Sequence, residues 1–270
     1  MTLNQAVGLL EEAGIDSPRE DAIALFCHFL KKTQIELLLE KCDYDDEALL
    51  VAVQRRSKRE PLQYIIGSVC FYREDYEVTS DCLIPRSDTE ILVDYAVKSI
   101  PFGEIFLDLC TGSGCVAIST LKNTKGTQAI AVDVSKKALE IAKRNATLNS
   151  VEKRLTLLER DVLCEDAIGE FYAVLSNPPY VSATEYKALA PEIYFEPEIA
   201  FVGGVDGLDF YRTITRKYRN HLKKGGFIAY EIGYNQANDL IKIAEELSMR
   251  CEIIKDYSGN DRVAVLKPKD

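Results

Sequence analysis

Residues 106–133 read FLDLCTGSGCVAISTLKNTKGTQAIAVD and combine two short apolar stretches with a glycine turn and a helical segment. Phe106–Leu109 is typical of a buried strand, and Gly112 and Gly114 after it allow a tight turn and a close approach of the backbone to a ligand. The second apolar stretch ends in Asp133, nineteen residues after Gly114. Dinucleotide-binding folds place an acidic residue at about this distance to bind ribose hydroxyls. The order strand, glycine loop, helix, strand and Asp therefore predicts an α/β fold with a ribose-bearing ligand.

Either NAD or S-adenosylmethionine would satisfy this pattern, since Gly112–Ala117 also fits the G-x-G-x-x-A variant of the dinucleotide fingerprint. A dehydrogenase would need a proton-relay group beside the nicotinamide. The chain has two histidines, His28 and His221, and neither follows a predicted strand end. We interpret both histidines as structural, which favours S-adenosylmethionine as the ligand.

The tetrapeptide Asn177-Pro178-Pro179-Tyr180 directly follows the apolar run Phe171–Ser176. Its two prolines fix φ, remove N–H donors and push the residues before them toward extended conformations. The Asn177 side-chain amide, the loop carbonyls and the Tyr180 ring then remain to bind a flat group that carries an NH₂. A proline-rich turn without a function is the simpler interpretation of this motif alone. The glycine loop upstream favours an acceptor socket, because ligands in open α/β sheets lie at the carboxyl ends of the strands.

These motifs resemble those of the class I methyltransferases that modify planar amino groups. Five further segments narrow the resemblance: Arg59–Tyr64, Leu83–Glu90, Phe195–Ala200, Gly203–Gly207 and Asp256–Arg262. With them, the chain from about residue 59 onward resembles the release factor glutamine methyltransferase family (the HemK or PrmC family). Members of this family use S-adenosylmethionine to methylate the side-chain nitrogen (N5) of the glutamine in the Gly-Gly-Gln loop of peptide chain release factors. Cys110 departs from the family pattern, which usually has glycine at this position. The departure concerns only the special backbone angle that glycine allows there.

The interpretation assigns specific residues to the cofactor. They are Cys110, Thr111, Gly112, Ser113, Gly114, Asp133, Asp161, Val162 and Asn177. Asp133 is expected to bind the ribose hydroxyls. Asp161 and Val162 would flank the adenine, although a helix cap is an equally good interpretation of Asp161. No metal site is expected, because no histidine lies at ligand spacing from a cysteine.

The acceptor site is assigned to Asn177, Pro178, Pro179 and Tyr180, of which Asn177, Pro178 and Tyr180 are expected to be catalytic. The Asn177 side-chain oxygen and the Pro178 carbonyl can both accept hydrogen bonds from a substrate NH₂. Tyr180 would stack on the flat amide, with a role as core filler as the alternative. The expected catalysis is positioning plus electrostatic preorganisation, without a strong general base.

The composition limits the possible partners and compartments. The 270 residues carry a net charge of −10, which argues against broad nucleic-acid binding. The best basic patch, Arg55–Arg59, is interpreted as a solvated helix face. The eight cysteines form no C-x-x-C pair and indicate reduced thiols in a cytoplasmic protein. Neither a signal peptide nor a membrane-spanning segment is expected.

Three regions are predicted along the chain. Residues 1–58 show helical periodicity and form a bundle, expected to recognise the substrate, with a purely structural role as the alternative. Residues 59–84 form a linker with a β-hairpin in the β-rich stretch Tyr64–Val78. Residues 85–270 alternate strands and helices, which predicts a Rossmann-like, mostly parallel sheet with helices on both faces. The resemblance implies seven strands, the last of them, Arg262–Leu266, antiparallel to the rest.

Two other functions share parts of this pattern. An amino-methyltransferase that acts on adenine or cytosine in nucleic acid would use the same Asn-Pro-Pro-Tyr socket. It would also be expected to have a basic face and a target-reading insertion, whereas this chain is acidic and has no such insertion between Tyr180 and Gly225. A nucleotide-binding protein without catalysis would not need the acceptor socket.

Overall fold

A computed structural model of the protein describes residues 1–40 and 42–269. Its contacts divide the chain into two units. One unit comprises Met1–Ser68 and Ala190–Phe195, and the other comprises Val69–Leu189 and Glu196–Asp270. Within the described residues, no helix combines the length and the apolar character that a membrane crossing requires.

The first unit is helical. Its helices are α1 (Leu3–Glu12), α2 (Pro18–Leu30), α3 (Gln34–Leu39), α4 (Glu47–Ser57) and α5 (Leu62–Ile66). Thr2 and Thr33 begin α1 and α3 with capping boxes, and Asp46 accepts a hydrogen bond from the backbone at the start of α4. The core between the helices is formed by Leu10, Leu25, Phe26, Leu49, Val53 and Ile65. The predicted helical bundle is therefore present.

The helical unit extends through Ser68, past residue 58 where the predicted bundle ends. The stretch from Tyr64 to Ile66, predicted as part of a β-hairpin, lies in α5 instead, and that part of the prediction is wrong. Burial of Ile65 in the helical core overrides the β-rich composition, and Gly67 ends the helix with φ of 82°. The hairpin is correspondingly shorter and consists of β1 (Ser68–Phe71) and β2 (Glu74–Glu77).

The basic run from Arg55 to Arg59 is a solvated helix face only in part. Arg56 is 8% exposed and its Nε donates to Asp21 at 2.7 Å. Arg59 forms an ion pair with Glu192 at 3.0 Å, and Arg55 pairs with Glu60 at 2.5 Å. The prediction is wrong for Arg56 and Arg59, because Asp21 and Glu192, which are distant in sequence, pair with them inside the helical unit. It holds for Lys58, which is exposed.

The second unit is built on a seven-stranded sheet in the order β5-β4-β3-β6-β7-β9-β8. The strands are β3 (Ile105–Leu109), β4 (Gln128–Asp133), β5 (Leu155–Glu159), β6 (Phe171–Ser176), β7 (Leu222–Glu231), β8 (Met249–Lys255) and β9 (Asp261–Pro268). Pairs from β5 through β7 are parallel, and β9 is antiparallel to both β7 and β8. This confirms the predicted mostly parallel sheet and its antiparallel last strand.

Helices cover both faces of the sheet. They are α6 (Glu90–Ser99), α7 (Cys115–Asn123), α8 (Lys136–Leu148), α9 (Ala183–Tyr186), α10 (Asp209–Tyr218) and α11 (Ala237–Glu246). Buried residues of α6, α7 and α8 share one apolar core, and those of α10 and α11 share the other. A short 3-10 turn, Ser87–Thr89, precedes α6. Strand order reverses between β3 and β6, and this position is where doubly wound sheets bind their ligands.

Candidate active site

The glycine loop and the Asn-Pro-Pro-Tyr loop leave the sheet side by side. Leu109, the last residue of β3, is in register with Ser176, the last residue of β6. The Ser176 hydroxyl donates to the Leu109 carbonyl at 2.7 Å, which ties the two strand ends together. Both predicted loops therefore begin at the same edge of the sheet, at the reversal of strand order.

The two loop glycines have different roles. A Cβ at Gly112 would meet no atom within 4 Å, and this residue lines a cavity. A Cβ at Gly114, in contrast, would lie 2.9 Å from Ile118 and 3.1 Å from the Ala142 Cβ on α8. Gly112 thus leaves room for a ligand, whereas Gly114 allows α7 to begin close to α8.

Cys110 has φ of 59°, in the left-handed region that glycine adopts without strain. An ordinary L-residue pays roughly 1–2 kcal/mol for this conformation. Cys110 therefore keeps the left-handed backbone angle. The family that the sequence resembles usually has glycine at this position. Cys110 lines the same cavity as Gly112.

Asp133 connects the glycine loop to the cavity. Its carboxylate accepts hydrogen bonds from the backbone N–H of Gly112 at 2.8 Å and of Ser135 at 2.9 Å. Burial raises its pKa, while these backbone donors oppose the rise. Asp133 also lines the cavity, so that one carboxylate both holds the loop and remains available to a polar ligand group.

Asp108, in β3, holds the glycine loop through its side chain. It was not assigned to the site from the sequence. It is 1% exposed, and its carboxylate accepts from the Thr111 hydroxyl at 2.5 Å and from the Ala117 N–H at 3.2 Å. Burial raises its pKa to about 7. The Thr111 hydroxyl is consequently bound to a protein group, and the backbone carbonyl of the buried Ser113 accepts from Asn145 Nδ2 at 2.9 Å.

The cavity has a volume of about 420 Å³ and lies entirely within the α/β unit. Seven predicted site residues line it: Cys110, Gly112, Asp133, Asp161, Val162, Asn177 and Pro179. Thr111, Ser113, Gly114, Pro178 and Tyr180 are not among the lining residues. Asp161 caps the turn that follows, since its Oδ1 accepts from the Leu163 N–H at 2.8 Å. The position of Asp161 is therefore compatible with both of its interpretations, as a residue beside the adenine and as a cap.

The Asn-Pro-Pro-Tyr loop, residues 177–180, is held through both of its ends. The Asn177 side-chain Nδ2 donates to the Thr89 hydroxyl at 3.2 Å. At the other end, the Tyr180 carbonyl accepts from Gln236 Nε2 at 3.0 Å. Tyr180 packs against the core on the α10 and α11 side of the sheet, and burial raises its pKa. Asn177 is thus presented to the cavity by a neighbour 88 residues away in sequence.

Further cavity residues were missed by reasoning from sequence. They include Leu83, Arg160, Pro197, Ile199, Gly203 and Phe210. Several of them lie in the segments Phe195–Ala200 and Gly203–Gly207 that narrow the family resemblance, and the glycines of the second segment were the available signal. A Cβ at Gly203 would lie 2.3 Å from the Pro179 carbonyl oxygen, and one at Gly207 would lie 2.2 Å from the Tyr180 carbonyl oxygen. These glycines let a second loop pack against the backbone of the Asn-Pro-Pro-Tyr loop.

Gly203→Ala is expected to destabilise the protein by about 1–3 kcal/mol, since the new methyl group overpacks a backbone contact that cannot move away freely. Urea denaturation measures the change in the free energy of unfolding. Gly8→Ala in α1 is the matched control: a Cβ there meets nothing within 4 Å, and alanine should stabilise the helix by about 0.5–1 kcal/mol. Equal stability of Gly203→Ala and wild type would contradict the tight approach.

The fold and the site together define a class I methyltransferase, with a ligand cavity and an Asn-Pro-Pro-Tyr loop at neighbouring strand ends. A family model described as "Methyltransferase small domain" matches residues 87–195, and one described as "PrmC N-terminal domain" matches residues 2–67. A solved methyltransferase from Pyrococcus furiosus has the same fold, with a TM-score of 0.55, 20% identity, and coverage of 73% of this chain and 90% of that one.

Two curated relatives specify the family. The release factor glutamine methyltransferase of Thermodesulfovibrio yellowstonii is 38% identical over 92% of this chain and 91% of its own length. That of Fusobacterium nucleatum subsp. nucleatum is 35% identical over 98% of this chain and 77% of its own. The chain belongs to the release factor glutamine methyltransferase family.

Proposed function

We propose that this protein transfers a methyl group from S-adenosylmethionine to the side-chain N5 of the glutamine in the Gly-Gly-Gln loop of peptide chain release factors. The observation that carries the proposal is the position of Asn177. This residue lines the cavity beside the glycine loop and has its amide nitrogen engaged by Thr89. A cofactor-type cavity and an amide-binding group thus share one edge of the sheet. The cytoplasm is the proposed location.

The cavity residues fit S-adenosylmethionine. The volume of about 420 Å³ is within the range of small-molecule sites. Asp133 offers a carboxylate to the ribose hydroxyls, and the open space above Gly112 leaves room for the methionine part. Val134 and Val162 supply an apolar wall for the adenine, with Asp161 as the acceptor for its amino group. The bound cofactor would supply an electrophilic methyl group on its sulfonium.

An amide nitrogen is a poor nucleophile, because its lone pair is delocalised into the carbonyl. The Asn177 Oδ1 and the Pro178 carbonyl can accept both hydrogens of the substrate NH₂, which directs the nitrogen lone pair toward the cavity. Alignment of this kind contributes up to about 7–11 kcal/mol in favourable intramolecular reactions. Tyr180 is proposed to pack against the flat amide. The alkylated nitrogen is acidic, so that no strong base is needed beside it.

The transfer is tested by incubating the protein with S-adenosylmethionine and a purified release factor. Mass spectrometry of the peptide that contains Gly-Gly-Gln should show one added methyl group on the glutamine side chain. Duplex and single-stranded DNA in parallel reactions test for methylation of adenine or cytosine. Methylated bases together with an unmodified release factor would refute the proposal.

The helical unit is proposed to recognise the release factor, because a glutamine side chain alone offers little surface for selection. Two residues of α3, Ile35 and Leu39, are 71% and 79% exposed. The two residues are four positions apart on the helix and so lie on one face, where neighbouring exposed apolar side chains can form a contact surface for a partner. We therefore place part of the contact with the release factor on this helix.

The double variant Ile35→Glu/Leu39→Glu is expected to lower kcat/KM for an intact release factor by about tenfold or more, as loss of a central apolar contact does. A short peptide that contains Gly-Gly-Gln lacks the second contact, and its rate should stay within about twofold. Steady-state kinetics with both substrates give the ratio of kcat/KM for the release factor to kcat/KM for the peptide. Leu148→Glu, at an exposed apolar residue at the end of α8, is the control. An unchanged ratio would leave the helical unit with a structural role.

A further inference from the structure

Asn145, in the last turns of α8, is a buried polar residue to which the proposed function assigns no role. It is 0% exposed. Its Nδ2 donates to the Ser113 carbonyl at 2.9 Å and to the Glu77 carbonyl at 3.0 Å, and its Oδ1 accepts from the Glu77 N–H at 2.7 Å. An amide nitrogen carries two hydrogens, and both are used here. The Glu77 N–H and the two carbonyls therefore fix the orientation of the Asn145 amide.

The two partners of Asn145 belong to different parts of the α/β unit. Glu77 is the last residue of β2 in the hairpin, whereas Ser113 lies in the glycine loop between Gly112 and Gly114. They are 68 and 32 residues away from Asn145 in sequence. One buried side chain thus joins the hairpin to the loop that borders the cavity.

Gly114 lets α8 come close enough for this contact. A Cβ at Gly114 would lie 3.1 Å from the Ala142 Cβ. Ala142 precedes Asn145 by three residues, so that both lie on the same face of α8. The missing side chain at Gly114 brings this face against the glycine loop, within reach of the Ser113 carbonyl.

The hairpin that holds the other side of the Asn145 amide is itself bound to α7. The carboxylate of Glu74, which is 6% exposed, accepts from the Ser119 hydroxyl at 2.8 Å and from Asn123 Nδ2 at 3.1 Å. The Tyr76 hydroxyl lies 2.6 Å from the same Ser119 hydroxyl. Asn145 is therefore bound to a strand whose own side chains are anchored in the core.

We propose that Asn145 is a positioning residue for the cofactor, which fixes the Ser113 peptide and thereby keeps the neighbouring Gly112 in place at the cavity. A buried carbonyl without a donor is unfavourable, so that the loop would shift if Ser113 lost this partner. Asp133 holds the Gly112 N–H at 2.8 Å, and Asn145 holds the next peptide. The inference rests on the proposed function, because it assumes that S-adenosylmethionine occupies this cavity.

The test is the Kd for S-adenosylmethionine of the full-length variant Asn145→Asp, measured by titration calorimetry. Aspartate has the same shape and keeps an oxygen for the Glu77 N–H, but the carboxylate has no hydrogen to donate. Its second oxygen would face the carbonyl oxygens of Ser113 and Glu77 and repel them. We expect the Kd to rise at least about tenfold, since a displaced binding loop no longer matches its ligand. Circular dichroism at the same temperature verifies that the variant is folded.

Asn149→Asp is the matched control. Asn149 lies one turn further along α8 and is 6% exposed. Its Nδ2 donates to the carbonyls of Asp75 at 3.0 Å and Asn145 at 3.1 Å, and its Oδ1 accepts from Lys122 at 3.1 Å. These bonds lead to the hairpin, α8 and α7. The control therefore places the same buried carboxylate against the hairpin but spares the bond to Ser113, and its Kd should stay within about twofold of wild type.

A structural role of Asn145 would lower the stability of both variants and leave the Kd of both folded proteins unchanged. An affinity of Asn145→Asp within about twofold of wild type, or an equal loss of affinity in Asn149→Asp, would overturn the inference. If Asn145→Asp does not fold, Asn145→Ala and Asn149→Ala are compared in the same way, because alanine removes the donor without burying a charge.

The proposed function is tested separately by the wild-type protein. If wild type does not bind S-adenosylmethionine, the inference fails together with the proposed cofactor. If wild type binds S-adenosylmethionine and leaves the release factor unmodified, only the proposed function is refuted, and the comparison of the two asparagine variants still decides the role of Asn145.

Discussion

Asn177→Ala is expected to lower kcat about 100- to 1000-fold while the affinity for S-adenosylmethionine stays within about threefold. Removing one preorganised hydrogen-bonding group from an active site has an effect of this size, roughly 2.7–4 kcal/mol. Asn177 is suited to such a role, because Thr89 holds its nitrogen and leaves its oxygen to the cavity. The loss should appear in kcat, since the acceptor amide would still reach the site but would no longer be aligned.

Single-turnover rates with saturating cofactor, together with calorimetric titration of S-adenosylmethionine, separate the chemical step from cofactor binding. Asn220→Ala, at an exposed position in the 3-10 turn Arg219–His221, is the matched control and should behave as wild type. A rate for Asn177→Ala within threefold of wild type would remove Asn177 from its assigned role.

Asp133→Ala is expected to weaken S-adenosylmethionine binding by at least about tenfold, since hydrogen bonds to a charged group contribute about 1.5–3 kcal/mol each. The ribose would lose its carboxylate partner, and the Gly112 N–H would lose the acceptor that holds the glycine loop. Asp133→Asn keeps one acceptor oxygen and should give an intermediate affinity. With saturating cofactor, kcat should recover toward the wild-type value.

Titration calorimetry measures these affinities. Glu159→Gln is the control, because Glu159 is the exposed residue beside Asp133 on the neighbouring strand β5. Unchanged affinity in Asp133→Ala would place the ribose elsewhere in the cavity. If Glu159→Gln weakened S-adenosylmethionine binding as much as Asp133→Ala, the loss of affinity would come from the loss of negative charge at this edge of the sheet and not from a contact with the ribose.

Much of the site could be predicted from short stretches of sequence. The glycine loop, the Asp at the end of β4 and the Asn-Pro-Pro-Tyr loop each depend on local backbone chemistry, which the residue types specify directly. Parallel strands bring their carboxyl ends to one edge of the sheet, so the meeting of Gly112, Asp133 and Asn177 at a cavity follows from the order of strands and helices.

Other predictions depended on partners that are distant along the chain. The stretch Tyr64–Ile66 has the composition of a strand, yet it is helical because Ile65 is buried in the helical core. The run Arg55–Arg59 has the composition of a solvated face, yet Asp21 and Glu192 pair with its side chains. Composition limits the interactions that a residue can form, whereas the tertiary structure decides which partner it has.

The sequence by itself determined the class of fold and the conformations of the glycine loop and of the Asn-Pro-Pro-Tyr loop, because each depends on neighbouring residues whose backbone preferences agree with one another. Only the tertiary structure decided which side chains support them. Thr89 reaches Asn177 across 88 residues, and Gly203 approaches the Pro179 carbonyl from a separate loop. The raised pKa of Asp108, which holds the glycine loop, arises from burial, and burial is a property of the packed molecule that no short stretch of sequence contains.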